Sequence, residues 1–285
     1  MRTKLAYAVR KAQTLVALRL RQTVSVTDPD DTSSWTEGTA EGRRVIELLW
    51  DPAAVPSTGR GPKPKLTLDE VVRAGVRLAD ADGLAALSMR KVAAELGVGT
   101  MSLYTYLPGR SELVELMIDA VYGEQPLPDA GLAWRQRIEQ RARQQWQLYR
   151  AHPWVLDHNL ARLPMGPHVL DAEEALYAAI AAAGVPPREI PAVSNVITWH
   201  LVGMARAQIS DAEEARHTGV SAEAYYMSRS SFWVTYFDPA RYPTMSAIHS
   251  SGGFDEPENQ DFETMLGRLL DAVELLVQGA SPSPS

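Results

Sequence analysis

Residues 89–110, MRKVAAELGVGTMSLYTYLPGR, constrain the fold of this chain more than any other stretch. A short helical segment ends near Gly97, and a second, tyrosine-containing one follows and stops at Pro108 and Gly109. A glycine between two short helices supplies the positive φ that a tight turn requires. This arrangement is typical of a helix-turn-helix, whose second helix enters the DNA major groove.

The segments on both sides of this stretch predict two further helices. Thr67 and Glu70 form a capping-box pattern, and an apolar stripe follows as far as Asp82. After the turn, Ser111 precedes residues 112–122, which carry apolar side chains along one side. We therefore predict a unit of three helices with a fourth helix leading out of it.

Apolar and polar residues of the two-helix unit separate onto opposite faces. The seam between the helices is expected to be filled by Val92, Val98, Leu103 and Leu107. The opposite face then carries hydroxyl and aromatic side chains, those of Thr100, Ser102, Tyr104, Thr105 and Tyr106. Such side chains contact phosphate oxygens and thymine methyl groups without blocking entry into a groove. For Tyr104 and Tyr106, packing against the fourth helix is the alternative, and for Arg90 and Lys91 it is a solvated face.

Charge is distributed unevenly along the chain. The net charge is −7, but residues 124–285 carry 20 acidic against 12 basic side chains, whereas residues 63–123 carry 8 against 7. A near-neutral DNA-binding unit beside an acidic body is compatible with DNA binding when its cations share one face. So few cations predict weak non-specific affinity and dependence on a specific site.

Composition and motifs argue against several classes of protein. Cysteine is absent, which excludes disulfides, thiolate metal sites and a cysteine nucleophile. No G-x-S-x-G, H-E-x-x-H, Walker A or Rossmann pattern occurs, so we predict neither an enzyme nor a cofactor. No apolar run is long enough to span a membrane, and no histidine spacing suits a metal site. The expected location is the cytoplasm, in association with the nucleoid.

Composition also divides the chain into three parts. We expect a basic extension and linker over residues 1–62 and a helix-turn-helix DNA-binding domain over residues 63–123. A helical ligand-binding and dimerisation domain is expected over residues 124–285. Residues 3–27 contain no acidic side chain, and three alternatives stay open for them: a DNA-following arm, a membrane-surface helix, or a loosely ordered extension. Lys63 and Lys65 end a Pro/Gly-rich lead-in and are candidate DNA contacts.

Residues 66–121 resemble the DNA-binding domain of the TetR family of one-component bacterial regulators. The resemblance is carried by LADADGLAALSMRKVA, the Gly97-Val98 turn, the Leu103-Tyr104 pair, Tyr106, and Arg110 after a Pro-Gly turn. It implies an all-α fold, with a three-helix N-terminal helix-turn-helix domain joined by a fourth helix to a larger helical C-terminal domain. It further implies a homodimeric repressor that binds a palindromic double-stranded DNA operator and is released by a small-molecule effector.

The resemblance also implies roles for individual residues. DNA contacts are expected from Ser88, Met89, Arg90, Gly99, Thr100, Met101, Ser102, Tyr104, Tyr106 and Arg110. Met101 offers only an apolar contact, which favours a thymine methyl group. Gly99 departs from the family pattern because it has no side chain with which to contact a base. This departure keeps an alternative open, a helical protein-interaction or small-molecule-binding module without sequence-specific DNA binding.

The C-terminal part keeps a helical pattern to its end, and strand-like alternation is seen nowhere in the chain. Helices are predicted near 132–151, 154–161, 167–183, 187–211, 221–237 and 258–278, with a loop over 239–257. The fragments RAHPWVL, GPHVLDAEEALYAAIAAAG and FETMLGRLLDAVELLV resemble the C-terminal domain of the same family. That resemblance implies a four-helix bundle between subunits, formed by the helices near 187–211 and 258–278.

Two sets of residues in this part are candidate sites. A pocket for an aromatic or amphipathic small molecule is predicted from Trp146, Tyr149, His152, His158, Asn159, Trp199, His200, Met204 and Gln208. Ordinary core and interface packing is the alternative for each of them. An apolar stripe suited to a partner helix is predicted from Phe262, Leu266, Leu269, Leu270 and Val273.

Overall fold

A computed structural model of the chain describes residues 40–51, 66–254 and 261–280. All regular secondary structure in these ranges is helical, which confirms the predicted all-α class. None of the helices in these ranges has the length and apolar character needed to cross a membrane. The expectations for residues 3–27, Lys63 and Lys65 lie outside the described residues.

The N-terminal part contains the predicted helix-turn-helix. In the described residues its helices are α1 (Ala40–Trp50), α2 (Leu68–Asp82), α3 (Met89–Glu95), α4 (Thr100–Leu103) and α5 (Arg110–Tyr122). A short 3₁₀ turn, Leu84–Ala86, connects α2 to α3. Helix α5 packs both on α2 and on the C-terminal part. It is therefore the connecting helix that the sequence predicts.

Local sequence sets the ends of these helices. The Thr67 hydroxyl accepts a hydrogen bond from the Glu70 backbone N–H at 3.2 Å, and the Glu70 carboxylate accepts one from the Thr67 N–H at 2.7 Å, so the predicted capping box is present. Ser88 caps α3 by accepting a hydrogen bond from the Lys91 N–H at 3.3 Å. Gly97 has φ 66°, the left-handed conformation that the turn requires.

The C-terminal part is a packed helical body. Its described α-helices are α6 (Trp134–Ala151), α7 (Pro167–Ala182), α8 (Ile190–Thr218), α9 (Ala222–Met227), α10 (Ser231–Thr235), α11 (Pro243–Ser250) and α12 (Phe262–Ala280). Helices α6, α7 and α8 pack on one another, and α12 lies against α6 and α8. Helix α5 packs on α7, so the connecting helix is part of the body as well.

Several predicted boundaries differ from the structure. The helix predicted near 154–161 is replaced by two 3₁₀ turns, Pro153–Asp157 and Leu160–Arg162. The predicted helix 187–211 begins later and runs on to Thr218, where Gly219 ends it with φ 72°. The predicted helix 221–237 is interrupted between α9 and α10, and the predicted loop contains α11.

The recognition helix is also shorter than the sequence predicts. Helix α4 ends at Leu103, and the chain continues as a turn in which the Tyr106 N–H donates to the Leu103 carbonyl at 2.9 Å. Pro108 prevents a helix from continuing through this turn, because a proline disfavours helical geometry at the residue before it, Leu107. The side chains beyond Leu103 are therefore presented from a turn.

Candidate functional site

Helix α4 presents its polar side to solvent because its apolar side is used for packing. Leu103 is fully buried and Leu107 is 2% exposed, whereas Met101 is 78% and Tyr104 is 47% exposed. Ser102, next to Met101, is exposed as well. The surface that a DNA groove would meet is thus hydroxyl-bearing, aromatic and apolar, as the sequence predicts.

Cationic side chains flank this surface on α3. Arg90 is exposed on the first turn of the helix. Lys91, beside it, forms an ion pair with Asp82 at 2.9 Å, which holds its ammonium group against the end of α2. The first turn of a helix also offers backbone N–H groups that favour a phosphate. Arg90 is therefore the better placed of the two cations for a backbone contact with DNA.

Three predicted DNA contacts have another use in the structure. Met89 is 7% exposed and belongs to the core, so its side chain is withdrawn from the surface, and the expectation that it contacts DNA is corrected. Tyr106 is half-buried and packs against the same core, the alternative stated for it. The Arg110 guanidinium donates to the carbonyl oxygens of Leu84 at 2.6 Å and Leu87 at 2.9 Å. Arg110 thereby ties the start of α5 to the turn before α3.

A group of polar side chains is buried in the body where α5 and α6 meet. Arg141 is 7%, Gln145 6% and Tyr149 1% exposed, and their spacing of four residues places them along one face of α6. Gln145 Nε2 donates to the Tyr122 hydroxyl, at the end of α5, at 3.0 Å. The Arg141 guanidinium lies 5.8 Å from the centre of the Tyr122 ring. We call Tyr122, Arg141, Gln145 and Tyr149 the polar cluster.

Burial sets the protonation of the polar cluster. It raises the pKa of Tyr122 and raises that of Tyr149 well above its ordinary value, so both phenols keep their protons near neutral pH. Burial lowers the pKa of Arg141, but arginine stays charged in proteins. The cluster therefore combines a buried cation with two neutral hydroxyls and an amide.

The polar cluster borders a small cavity. Its volume is about 10 Å³, and Arg141 and Gln145 line it together with Glu173, Thr198 and Leu201. Elsewhere in the described residues, Gln144 Oε1 and His200 Nε2 are buried polar atoms without a hydrogen-bond partner. Burial also lowers the pKa of His200. The interior of the body thus holds more hydrogen-bonding capacity than it uses.

A second polar contact joins the helix-turn-helix to the body. His152 Nδ1 lies 2.7 Å from Asp80 Oδ1 on α2, and His152 Nε2 lies 3.0 Å from Glu124 Oε2, just beyond α5. The Trp154 indole N–H donates to the same Asp80 oxygen at 2.7 Å. One buried imidazole therefore bridges a carboxylate of the DNA-binding unit and one at the end of the connecting helix.

Helix α5 is anchored to α7 as well. The buried Asp119 accepts a hydrogen bond from the Val169 backbone N–H at 3.0 Å, and its other oxygen lies 2.9 Å from His168 Nδ1. Asp119 thus caps the first turn of α7 from a neighbouring helix. Gly166 permits this approach, because a Cβ there would overlap the Asp119 carboxylate.

The predicted dimer stripe faces inward, which corrects the expectation drawn from its pattern. The side chains that are 9% exposed or less are Phe262, Leu266, Leu270 and Val273, and Leu269 packs partly buried beside them. Phe262 stacks on Trp146 of α6 with ring centres 4.6 Å apart. Among the described residues, the large apolar side chains that α8 and α12 expose are Val196, Trp199 and Leu275.

Both parts of the chain match known family patterns. Residues 71–117 match bacterial regulatory proteins of the tetR family, and residues 126–277 match the tetracyclin repressor-like C-terminal domain. The chain belongs to the TetR family. It is accordingly a DNA-binding regulator of transcription, and its family consists of regulators rather than enzymes.

Individual relatives of this TetR-family regulator agree with the assignment. It is 41% identical over 247 residues to the HTH-type transcriptional repressor DrrR1 of Streptomyces coeruleorubidus, covering 86% of this chain and 90% of that one. An HTH-type transcriptional regulator of Saccharopolyspora erythraea is 35% identical over 147 residues, which are 51% of this chain and 62% of the relative.

Solved structures share the fold of this regulator. Apo ActR from Streptomyces coelicolor superposes with a TM-score of 0.62 at 23% identity, covering 76% of this chain and 98% of that one. ActR in complex with actinorhodin gives a TM-score of 0.58 at 21% identity, over 75% and 95% of the two chains.

The predicted pocket residues of this regulator are scattered rather than gathered around one cavity. Tyr149 belongs to the polar cluster and His152 to the bridge, whereas Trp199 is 47% exposed. His158 binds the Arg162 carbonyl at 3.0 Å, and Asn159 accepts from the Ala161 N–H at 3.1 Å, both local contacts. Met204 and His200 are half-buried. Trp146 and Gln208 line an open cleft of about 370 Å³.

Sequence reasoning missed Tyr122, Arg141 and Gln145. The available signal was the spacing of Arg141, Gln145 and Tyr149 at intervals of four on α6, together with the buried apolar Ile138 and Ala142.

Proposed function

We propose that this regulator is a repressor that binds a palindromic operator as a homodimer and is released by a small-molecule effector. The exposed surface of α4, above all Met101 and Tyr104, carries the proposal for DNA. One helix of this size contacts too few base pairs for a specific site, so two protomers on paired half-sites are needed. The name of the 41% identical relative, a transcriptional repressor, supports repression. The protein would act in the cytoplasm, at the nucleoid.

On this proposal the DNA contacts divide by chemistry. Arg90 and the capped first turn of α3 meet phosphates, which positions the protein without selecting a sequence. Thr100, Met101, Ser102 and Tyr104 meet the groove, where Met101 favours thymine methyl groups. Residues 63–123 then act as the DNA-binding domain, and residues 124–285 as the effector-binding and dimerisation domain.

The polar cluster is the proposed effector site. A guanidinium, two phenol hydroxyls and an amide suit an aromatic or amphipathic molecule that carries acidic or carbonyl oxygens. The complex of ActR with actinorhodin supports the general idea, since a protein of this fold accommodates such a molecule. The cavity of about 10 Å³ is too small for any effector, so binding must separate α6 from its neighbours. A ligand that binds only the opened body shifts the population towards it.

Helix α5 is the proposed link between effector and DNA. Its first residue, Arg110, holds the turn before α3, and near its end Asp119 and Tyr122 hold α7 and α6. Opening the body around Tyr122 would therefore move α5 and the recognition helices attached to it. A changed separation of the two α4 helices would no longer fit the paired half-sites.

Fluorescence anisotropy with DNA from beside the protein's own gene tests both operator binding and release by an effector. The wild type should bind, and actinorhodin, used as a first probe together with other hydroxylated aromatic acids, should raise the operator dissociation constant. Tyr149→Phe and Arg141→Met should bind the operator normally but respond less to an active probe. Release that persists unchanged in both variants would place the effector elsewhere, and an operator affinity unchanged by every probe shown to bind would remove ligand release.

A further inference from the structure

The contact of His152 with Asp80 and Glu124 joins three segments of the chain, and we call these three residues the histidine bridge. His152 ends α6, the helix that carries most of the polar cluster. Asp80 lies in the last turn of α2, in the DNA-binding unit, and Glu124 lies just beyond α5. The His152 side chain is 10% exposed, whereas those of Asp80 and Glu124 are 32% and 52% exposed. One nearly buried imidazole therefore holds two carboxylates that reach it from the surface.

Each ring nitrogen of His152 faces a carboxylate oxygen. Nδ1 lies 2.7 Å from Asp80 Oδ1, and Nε2 lies 3.0 Å from Glu124 Oε2. An ionised carboxylate only accepts hydrogen bonds, so both ring nitrogens have to donate. A neutral imidazole has one N–H group, whereas the imidazolium ion has two. With both carboxylates ionised, the histidine bridge is therefore complete only when His152 carries its second proton.

The two contacts of the ring are not equivalent. Asp80 is the closer and less exposed acceptor, and its Oδ1 also accepts from the Trp154 indole N–H at 2.7 Å. The single N–H of a neutral ring is accordingly best placed on Nδ1, towards Asp80. The lone pair of Nε2 would then face the Glu124 carboxylate, and that contact would become repulsive. Loss of the second proton thus breaks the bridge on the side of α5.

Other charged groups on the surrounding helices have different positions or partners. Lys91 of α3 pairs with Asp82 of α2 at 2.9 Å. Arg206 of α8 donates to a backbone carbonyl of the 3₁₀ turn that follows the bridge, at 2.7 Å. Arg150 and Asp157, the nearest charged residues along the chain on either side of the ring, are exposed. The carboxyl end of α6 also favours a cation at the position of the ring.

We propose that the histidine bridge holds the DNA-binding unit in the arrangement that binds the operator, and that the second proton on His152 strengthens operator binding. The inference rests on the proposed operator binding. Glu124 lies two residues beyond Tyr122, so a movement of α5 that opens the body also draws Glu124 away from the ring. The proton therefore favours the closed body that the effector disfavours, and the two act in opposite directions. Operator affinity rises as pH falls through the range in which histidine gains a proton.

The pH dependence of operator affinity tests the role of the ring. Anisotropy titrations use the DNA from beside the protein's own gene at several values between about pH 6 and about pH 8. Over this range the dissociation constant of the wild type should rise about tenfold more than that of His152→Gln, a change typical of coupling between two sites. His217→Gln is the matched control, because His217 is exposed on the last turn of α8. This control should keep the pH profile of the wild type.

Glu124→Gln separates a role for the proton from a purely structural role. The amide can donate to Nε2 of a neutral ring and can accept from the imidazolium, so it completes the bridge in both states. Glu124→Gln should therefore bind the operator at about pH 8 nearly as tightly as the wild type does at about pH 6. A contact that is only structural would instead be weakened at every pH. Because Glu124 is half exposed, this variant tests the bridge even if His152→Gln does not fold.

The outcomes distinguish the bridge from operator binding itself. A wild type that binds this DNA at no pH would overturn the proposed operator binding and this inference together. Operator binding with the same pH profile in the wild type, His152→Gln and Glu124→Gln would overturn only the role of the bridge. A wild-type affinity that falls as pH falls, relative to His152→Gln, would also overturn it.

Discussion

Met101 and Met165 are both strongly exposed methionines, at 78% and 67%, but only Met101 lies on the recognition helix. If Met101 covers a thymine methyl group, replacing that thymine by uracil should weaken wild-type binding. Burial of one methyl-sized group contributes about 0.8 kcal/mol, so two half-sites predict a loss of roughly tenfold.

The matched variants make this test specific. Met101→Ala should bind the thymine and uracil operators nearly equally, whereas Met165→Ala should discriminate like the wild type. Anisotropy titrations of the wild type and both variants on the two operators measure the six affinities. Equal discrimination by Met101→Ala and the wild type would show that another side chain contacts the methyl group.

Arg90 is predicted to contact phosphate rather than a base. Arg90→Ala should then reduce the slope of log affinity against log salt concentration by about 2 per dimer, since one ion pair is lost in each half-site. A salt titration of operator binding measures the slope. Loss of affinity with an unchanged slope would identify Arg90 as a base contact instead.

His200 predicts a pH dependence of stability. Burial lowers its pKa below the ordinary 6.5, so the unfolded chain binds a proton more readily than the folded one. Its contribution to the free energy of unfolding is therefore greatest above about pH 6.5 and is lost as pH falls towards the folded-state pKa. Urea unfolding of the wild type and His200→Gln at about pH 5 and about pH 8 measures this difference. An identical pH dependence in both proteins would contradict it.

Single residues could be predicted from sequence where their role is local. Thr67, Ser88 and Gly97 act on backbone groups within a few residues, so the local sequence is sufficient to predict their roles as helix caps and turn residue. Arg110 and Met89 were assigned to DNA because their positions match the family. Their contacts with Leu84 and with the core depend on how distant segments pack, which no local pattern contains.

At the scale of helices, the contact between α5 and α7 depends on the absence of a side chain at Gly166. Gly166→Ala places a Cβ against Asp119 and should lower the free energy of unfolding by about 1–3 kcal/mol, because the cap must move. Gly267→Ala, within α12 with no atom near the added Cβ, should instead raise it by about 0.5–1 kcal/mol. Denaturant unfolding measures both, and a neutral Gly166→Ala would show that the contact is adaptable.

Helices were predictable from periodicity where one face is buried, as in α2, α6 and α7. The segment 221–237 was predicted as one helix because apolar residues recur throughout it, yet none of them is buried in the chain. The stripe predicted on α12 does form an apolar face, but the helices that cover this face are α6 and α8 of the same chain. A stripe predicts that a face is covered and does not identify what covers it.

At the scale of the whole molecule, the acidic body and the near-neutral DNA-binding unit limit non-specific attraction to DNA. Specific binding then depends on two α4 surfaces acting together on correctly spaced half-sites. The fold class and family could be recognised from sequence, because the helix-turn-helix and its flanks form one continuous local pattern. The polar cluster could not be predicted from the sequence, because its residues come together only when α5 and α6 pack against each other.

A gel shift with the DNA beside the protein's own gene shows whether the exposed surface of α4 binds an operator. We expect a discrete complex with two protomers per site, lost in Met101→Ala with Tyr104→Ala and retained in Met165→Ala. A complex that survives the double substitution unchanged would contradict it.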